Sequence, residues 1–140
     1  MKKNDFYEYP AIFTFDEGYD IAVTFPDFPG CATSGETDRE AIDMAKEALS
    51  LHLYGMEQDG DEIPAPSSFK DIQKQLDENE CVVLIEVFMP AIRMSQENKS
   101  VNRTVTLPAW LNARALECGV NFSAVLQEAL KNQLHINNRL

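Results

Sequence analysis

The chain has 140 residues, of which 44% are hydrophobic, and its 12 basic and 23 acidic side chains give a formal charge of −11. This length allows one ordinary domain or a small domain with an appendage, and the apolar content argues against general disorder. The first residues have two lysines with no apolar stretch behind them, and no later run approaches the roughly 18 apolar residues of a membrane span, so we expect a soluble, cytoplasmic protein.

Apolar residues alternate with polar ones along residues 7–15 and again along residues 19–25, on both sides of the turn sequence "DEG". This period of two predicts a β-hairpin with one buried face. The following segment, "PDFPGCATSGETDRE", contains prolines and glycines that predict a shaped loop.

A helix of about five turns is predicted next, because apolar residues recur at helical spacing from Ala41 to Met56. Thr37 and Glu40 have the spacing of a capping box at its start. After a loop, a short helical pattern around Ile72 leads to "CVVLIEVFM", whose continuous apolar character predicts a strand covered on both faces or nearly so. The front of the chain is therefore expected to be an α+β domain of order β-β-α-(short α)-β.

The polar stretch "SQENKS" predicts a connection between two domains. We expect a first domain at residues 1–92, a linker at 93–100 and a second domain at 101–140. Charge divides the same way, since residues 1–90 contain 6 basic and 20 acidic side chains, or −14, and residues 91–140 contain 6 and 3, or +3. This asymmetry indicates a basic partner for the front and a polyanionic partner for the back.

The back begins with a strand pattern from Val101 to Leu107, followed by Pro108 in the first turn of a helix. Gly119 suits the left-handed position that ends this helix, and Asn121 suits the N-cap of a second helix. A lone strand and two short helices cannot enclose a core, so we expect this domain to be stable only as a homodimer with antiparallel paired strands.

Such a two-stranded ribbon fits the major groove of DNA, which is about 12 Å wide. Asn102, Thr104 and Thr106 share its outer face and are the candidate base contacts. Arg103 near the ribbon's end, and Phe122 and Ser123 at the start of the second helix, are candidate phosphate contacts.

The segment "NRTVTLPAWLNARALECGVNFSAVLQEAL" resembles a ribbon-helix-helix domain. The front, with "FPDFPGCATSGETDREAIDMAKEAL" and "IPAPS", is similar to the HicB antitoxin family, whose N-terminal domain is a partial RNase H-like fold. This resemblance implies an antitoxin that binds and inhibits a HicA-type toxin, a basic mRNA endonuclease, and represses its own operon by binding operator DNA. It leaves open whether dimers assemble further with the toxin.

The candidate toxin contacts are exposed acidic and aromatic groups around the hairpin and the proline loop: Asp16, Glu17, Asp20, Asp27 and Phe28. We expect no catalytic residue, no metal ligand and no cofactor, because no nucleophile has a partner at a suitable spacing and no phosphate-binding glycine loop occurs. The three cysteines are widely separated and predict buried free thiols rather than a disulfide framework or a zinc site. Two alternatives remain: a metal-dependent nuclease using carboxylates such as Asp16, Asp20, Asp27 and Asp38, and a DNA-binding regulator that senses a small ligand.

Overall fold

A computed structural model of the protein describes residues 3–97 and 100–136. The chain divides into two compact units, Met1–Ser100 and Val101–Leu140. Unit 1 contains every strand of the described residues, and unit 2 contains two helices. No helix within these ranges is long and apolar enough to cross a lipid bilayer.

Unit 1 has the mixed α+β architecture that the sequence predicts. Its elements are, in chain order, β1 (Phe6–Thr14), β2 (Ile21–Thr24), β3 (Ala32–Gly35), α1 (Asp38–Asp59), α2 (Phe69–Gln73), β4 (Glu80–Phe88) and α3 (Met89–Glu97). The strands form one antiparallel sheet in the order β3-β2-β1-β4. Consequently β4 lies at one edge of the sheet, paired with β1 along its entire length.

The core lies between α1 and one face of this sheet. Residues four apart on α1 are buried, and so are alternate residues of β1 and β4. Each of these spacings places side chains on one face of its element, so the apolar face of the helix packs against the apolar face of the sheet. The buried set includes Tyr9, Ala11, Phe13, Ala41, Ala45, Leu49, Leu53, Ile85 and Val87. The strand-to-helix turn is tight, since a Cβ on Gly35 would come within 2.4 Å of the backbone nitrogen of Ala41.

The start of α1 is capped largely as predicted. The hydroxyl of Thr37 accepts a hydrogen bond from the backbone N–H of Glu40 at 3.1 Å. The carboxylate of Glu40 accepts from the N–H of Glu36 at 2.9 Å, one residue before the position that a capping box requires. The helix runs for 22 residues, about a turn longer than expected, and ends at Gly60 in the left-handed conformation.

Three expectations for unit 1 are wrong. The turn between β1 and β2 is longer than "DEG" implies, and Phe15 and Tyr19 are exposed rather than part of a buried face. Strand β3 forms within the segment predicted to be a loop, because β2 offers it an unpaired edge. Strand β4 is uncovered on one face along its second half, where Leu84 and Phe88 are about half exposed, at 50% and 49%, whereas Val82 on the same face is buried.

Helix α3 is a further difference. It runs from Met89 to Glu97, so the last residues of the predicted first domain and the first five of the predicted linker are helical. Met89 is fully buried, and Arg93 bonds to Glu57 of α1, which fixes the helix to the domain. Both anchors precede the polar stretch "SQENKS", whose composition alone indicates a linker.

Unit 2 consists of α4 (Ala109–Glu117) and α5 (Phe122–Gln133). Gly119 is left-handed, with φ +67°, and the side chain of Asn121 accepts a hydrogen bond from the N–H of Ala124 at 3.1 Å. The predicted helix-ending glycine and the predicted N-cap residue are both confirmed. Pro108 occupies the N-cap of α4 rather than its first turn. Residues 101–107 form no strand in the single chain, where they have no neighbouring strand to bond to.

Candidate functional site

Unit 2 has an apolar surface, and none of its residues from 101 to 136 is buried. No residue of α4 or α5 is buried, although both helices carry apolar stripes. The apolar side chains at least a third exposed include Val105, Leu107, Trp110, Leu111, Leu116, Val125, Leu126, Leu130 and Leu134. A folded single copy that leaves this much apolar surface in water lacks the main contribution to its stability.

The candidate DNA-contacting residues all lie on the exterior of unit 2. Asn102, Arg103, Thr104 and Thr106 are exposed within the segment that precedes α4. Phe122 and Ser123 are the first two residues of α5, where backbone N–H groups have no partner inside the helix. Their exposure leaves these groups accessible to an anion such as a phosphate.

Three of the acidic toxin-contact candidates lie in the long turn between β1 and β2. Asp16, Glu17 and Asp20 are exposed. The Asp16 carboxylate accepts a hydrogen bond from the side-chain amide of Asn79 at 2.9 Å, and the carbonyl of Asn79 accepts from the N–H of Phe15 at 2.8 Å. The turn is thus anchored to the segment before β4 while its acidic side chains remain in solvent.

The other two toxin-contact candidates have internal partners. Phe28 is only 2% exposed, and its ring packs edge-on against Tyr9, at 4.6 Å between centroids, and against His52 at 5.2 Å. Phe28 is therefore a core residue, and its assignment to an exposed contact surface is wrong. The carboxylate of Asp27 accepts hydrogen bonds from both the N–H and the hydroxyl of Ser67, so this side chain anchors the loop after α1.

A groove of about 1040 Å³ runs between this loop and the first half of β1. The hydroxyl of Tyr9 donates a hydrogen bond to the carbonyl of Pro64, which fixes the loop beside the strand. Burial, followed by the proximity of Tyr7 and Asp27, raises the pKa of Tyr9 to about 12. Tyr9 is consequently a neutral hydrogen-bond donor at any physiological pH.

The face of the sheet opposite α1 contains a surface that sequence reasoning missed. Cross-strand partners on this face are Phe6 with Phe88, Glu8 with Glu86, and Pro10 with Leu84. The rings of Phe6 and Phe88 lie 4.9 Å apart and are 59% and 49% exposed. Glu86 was the available signal, because a carboxylate inside an apolar strand marks the face that meets solvent.

The structure does not bring the nuclease candidates together. Within residues 3–97 and 100–136, no group of three or more His, Cys, Asp or Glu side chains is arranged to hold a metal ion. Asp27 bonds to Ser67, Asp16 bonds to Asn79, and Asp38 lies at the start of α1. Catalysis with two metal ions requires carboxylates that converge, and these serve separate turns.

Comparison with known proteins relates both units to one family. Residues 9–128 match the family described as the HicB-like antitoxin of bacterial toxin-antitoxin systems. Over 69 residues the chain is 44% identical to antitoxin HicB 2 of Photorhabdus laumondii, a match that spans 49% of this chain and 47% of that protein.

Solved structures show the same fold. A chain of a toxin-antitoxin complex from Streptococcus pneumoniae is similar over 91% of this chain and 99% of its own, with a TM-score of 0.55 and 28% identity. The N-terminal domain of the Burkholderia pseudomallei antitoxin HicB is similar over 56% of this chain and 95% of its own, with a TM-score of 0.50 and 27% identity.

Proposed function

The chain belongs to the HicB-like antitoxin family of bacterial toxin-antitoxin systems, and we propose that it binds and inhibits a HicA-type mRNA endonuclease and, as a dimer, represses its own operon. The observation that carries this proposal is the contrast between its two units. Unit 1 has a closed core and an acidic surface, whereas unit 2 exposes the apolar residues that should form its core.

Charge supports the toxin-binding half of the proposal. Residues 1–90 carry a formal charge of −14, which complements a basic RNA-cleaving protein and raises the rate and specificity of association. The similar Streptococcus pneumoniae chain comes from a toxin-antitoxin complex. The exposed carboxylates Asp16, Glu17 and Asp20 remain candidates for the rim of this interface, with Asp27 accessible only in part.

The DNA-binding half rests on the incompleteness of unit 2. If two copies pair residues 101–107 antiparallel, each segment gains its missing backbone partners, and Val105 and Leu107 of both copies can pack between four helices. This is the ribbon-helix-helix arrangement. Asn102, Thr104 and Thr106 then face outward to base edges, while Arg103, Phe122 and Ser123 are placed near phosphates.

The test is co-expression with the protein encoded by the short reading frame adjoining this gene. Expression of that neighbour alone should arrest growth and deplete mRNA, and co-expression of the full chain should restore both. A tagged chain should copurify with the neighbour and shift a DNA fragment from upstream of the gene. If the neighbour is harmless, or if the chain neither binds it nor restores growth, the antitoxin assignment is wrong.

No catalytic role is included in this proposal. If the purified chain alone cleaves RNA in the presence of magnesium, and substitution of Asp20 or Asp27 abolishes this, the metal-dependent nuclease is the better assignment. If the chain purifies with a bound metabolite that alters DNA binding, the ligand-sensing regulator is favoured.

A further inference from the structure

We propose that the uncovered face of β1 and β4 is the centre of the toxin interface, and that an arginine of the toxin inserts between Glu8 and Glu86. This inference rests on the proposed function and adds to it a surface, a pair of receiving residues and the chemistry of the incoming group. The surface consists of the cross-strand pairs Phe6 with Phe88 and Glu8 with Glu86, and of Leu84, whose partner Pro10 is buried.

The backbone hydrogen bonds place the two carboxylates close together. The N–H of Met89 donates to the carbonyl of Asp5 at 2.7 Å, and the N–H of Phe15 donates to the carbonyl of Asn79 at 2.8 Å. The hydrogen-bonded pairs between β1 and β4 are therefore those of odd-numbered residues. Glu8 and Glu86 are even-numbered and form a non-hydrogen-bonded pair. Side chains are nearest in pairs of this kind, with Cβ atoms roughly 4.5–5.5 Å apart.

This pair is unfavourable for the free chain. Like charges directly opposite each other destabilise a sheet, and both carboxylates are exposed. Among the residues that the structure describes, neither carboxylate forms an ion pair or a side-chain hydrogen bond. Lys3 lines the groove beside β1 together with Glu8, but it does not pair with either carboxylate. An incoming cation would convert this repulsion into two charge-assisted hydrogen bonds.

The flanking pairs suit the remainder of an arginine. The Phe6 and Phe88 rings, tilted by 36° with centroids 4.9 Å apart, offer an apolar platform for the aliphatic stem and a cation–π contact for the guanidinium. Leu84, which is 50% exposed, adds apolar surface on the other side, while its cross-strand partner Pro10 is buried. The planar guanidinium donates in two directions, which matches two separate carboxylates better than a lysine ammonium does.

Charge also decides between possible occupants of this face. A second copy of unit 1 would bring another Glu8 and Glu86 to a surface where no described cation pairs with either carboxylate, in a unit whose residues 1–90 total −14. A basic protein removes the repulsion instead. Interfaces obtain most of their affinity from a few buried aromatic and arginine anchors surrounded by a polar rim, and this face offers the receiving half of such an anchor.

The experiment measures binding of the full chain to a catalytically inactive form of the neighbour-encoded protein by isothermal titration calorimetry. Glu86→Gln and Glu8→Gln should each weaken binding by about ten-fold or more, because each removes a charge-assisted bond at the centre of the interface. Phe88→Thr should weaken it as well. Glu47→Gln removes the same charge from the exposed side of α1, on the other layer of the domain, and should change affinity less than about two-fold.

Thermal unfolding of the free chain separates a binding role from a structural one. Glu86→Gln should leave the melting temperature unchanged or raise it, since it relieves the repulsion with Glu8. Weaker binding together with undiminished stability supports the inference. Equal affinity of wild type, Glu8→Gln and Glu86→Gln overturns it and leaves the antitoxin function intact. A change in the chain's own oligomeric state, with toxin affinity unaltered, also overturns it in favour of self-association. If even the wild-type chain does not bind the neighbour, both the function and this inference fail.

Discussion

Arg93 donates two hydrogen bonds to the carboxylate of Glu57, at 3.0 Å from Nε and 2.7 Å from Nη2, and the Glu57 side chain is only 4% exposed. The same guanidinium donates to the carbonyl of Asn4 at 2.6 Å and to Asp5 at 3.4 Å. The hydrogen bonds that Arg93 donates to Glu57 raise the pKa of Arg93 above its ordinary value, with burial acting in the opposite direction. One side chain thus joins α1, α3 and the segment before β1.

Replacing Arg93 should destabilise unit 1 markedly. Arg93→Met leaves a buried carboxylate without its partner, and we expect a loss of about 3 kcal/mol in the free energy of unfolding. Arg93→Lys should lose less, since an ammonium keeps the charge but not the two parallel bonds. Urea denaturation followed by circular dichroism measures both.

Arg39 provides the matched control for Arg93. It forms an exposed pair with Asp43 one helical turn away, at 3.5 Å. Arg39→Met should therefore change the free energy of unfolding by less than about 0.5 kcal/mol. Equal stabilities of the Arg93→Met and Arg39→Met variants would show that the Arg93 network contributes nothing.

Alkaline pH should weaken the fold through Tyr9. Its pKa is raised from 10.0 to about 12 in the folded chain, so folding favours the neutral phenol. The resulting stabilisation is fully present below pH 10 and is lost as the pH rises from 10 towards 12. Burial raises the pKa of Tyr7 too, which acts in the same direction.

Urea titrations at pH 9, 10, 11 and 12, with phenolate absorbance recorded in parallel, test this dependence on Tyr9. The Tyr9→Phe variant should lose less stability across the interval than the wild-type chain does. If the free energy of unfolding decreases equally with pH in the two proteins, Tyr9 does not cause the loss of stability.

Disruption of the apolar stripe on α5 should produce monomers. Leu126→Glu places a charge where we propose that two copies meet, and sedimentation of the full chain should shift from dimer to monomer, with loss of operator binding. Gln127→Glu adds the same charge at the adjacent residue, off the stripe, and should remain dimeric. A wild-type chain that is monomeric at all accessible concentrations would contradict the proposed assembly.

Base readout should depend on two threonines. Thr104→Ala and Thr106→Ala should each weaken binding to the upstream DNA fragment by roughly 1–3 kcal/mol if the residue contacts a base, without affecting dimerisation. Fluorescence anisotropy at fixed salt measures the affinity, and sedimentation verifies the dimer. A folded, dimeric double variant with wild-type affinity would remove these residues from the DNA interface.

Toxin binding should strengthen operator binding. The −14 of residues 1–90 opposes approach to DNA, and a bound basic protein neutralises part of it. The difference should shrink as salt increases, because screening weakens the repulsion. Unchanged operator affinity with and without the neighbour-encoded protein at low salt would exclude this coupling.

Local chemistry made part of this fold predictable. Thr37 and Asn121 cap the N-termini of helices, and Gly119 ends one. These roles involve only backbone groups a few residues away, so the local sequence predicts them. The helix α1 and the strands β1 and β2 follow from periodicity, which reports one buried face without reference to the rest of the chain, and β4 follows from its continuous apolar run.

Features that depend on distant partners were not predictable in this way. Strand β3 has almost no apolar pattern and exists because β2 pairs with it. Phe28, placed in a proline loop, has no local feature showing that Tyr9 and His52 enclose it. The apolar run of β4 gives no indication that part of one face is uncovered. Helix α1 covers one side of the sheet, and the only other described helix between α1 and β4 is the short α2.

The bond between Arg93 and the carbonyl of Asn4 also brings the entry and the exit of unit 1 to one corner. Chain segments whose ends are adjacent tolerate circular permutation and insertion into a loop of another protein. The acidic domain should therefore be transplantable as an insert between two neighbouring positions of a host surface, carrying its cross-strand glutamate pair intact.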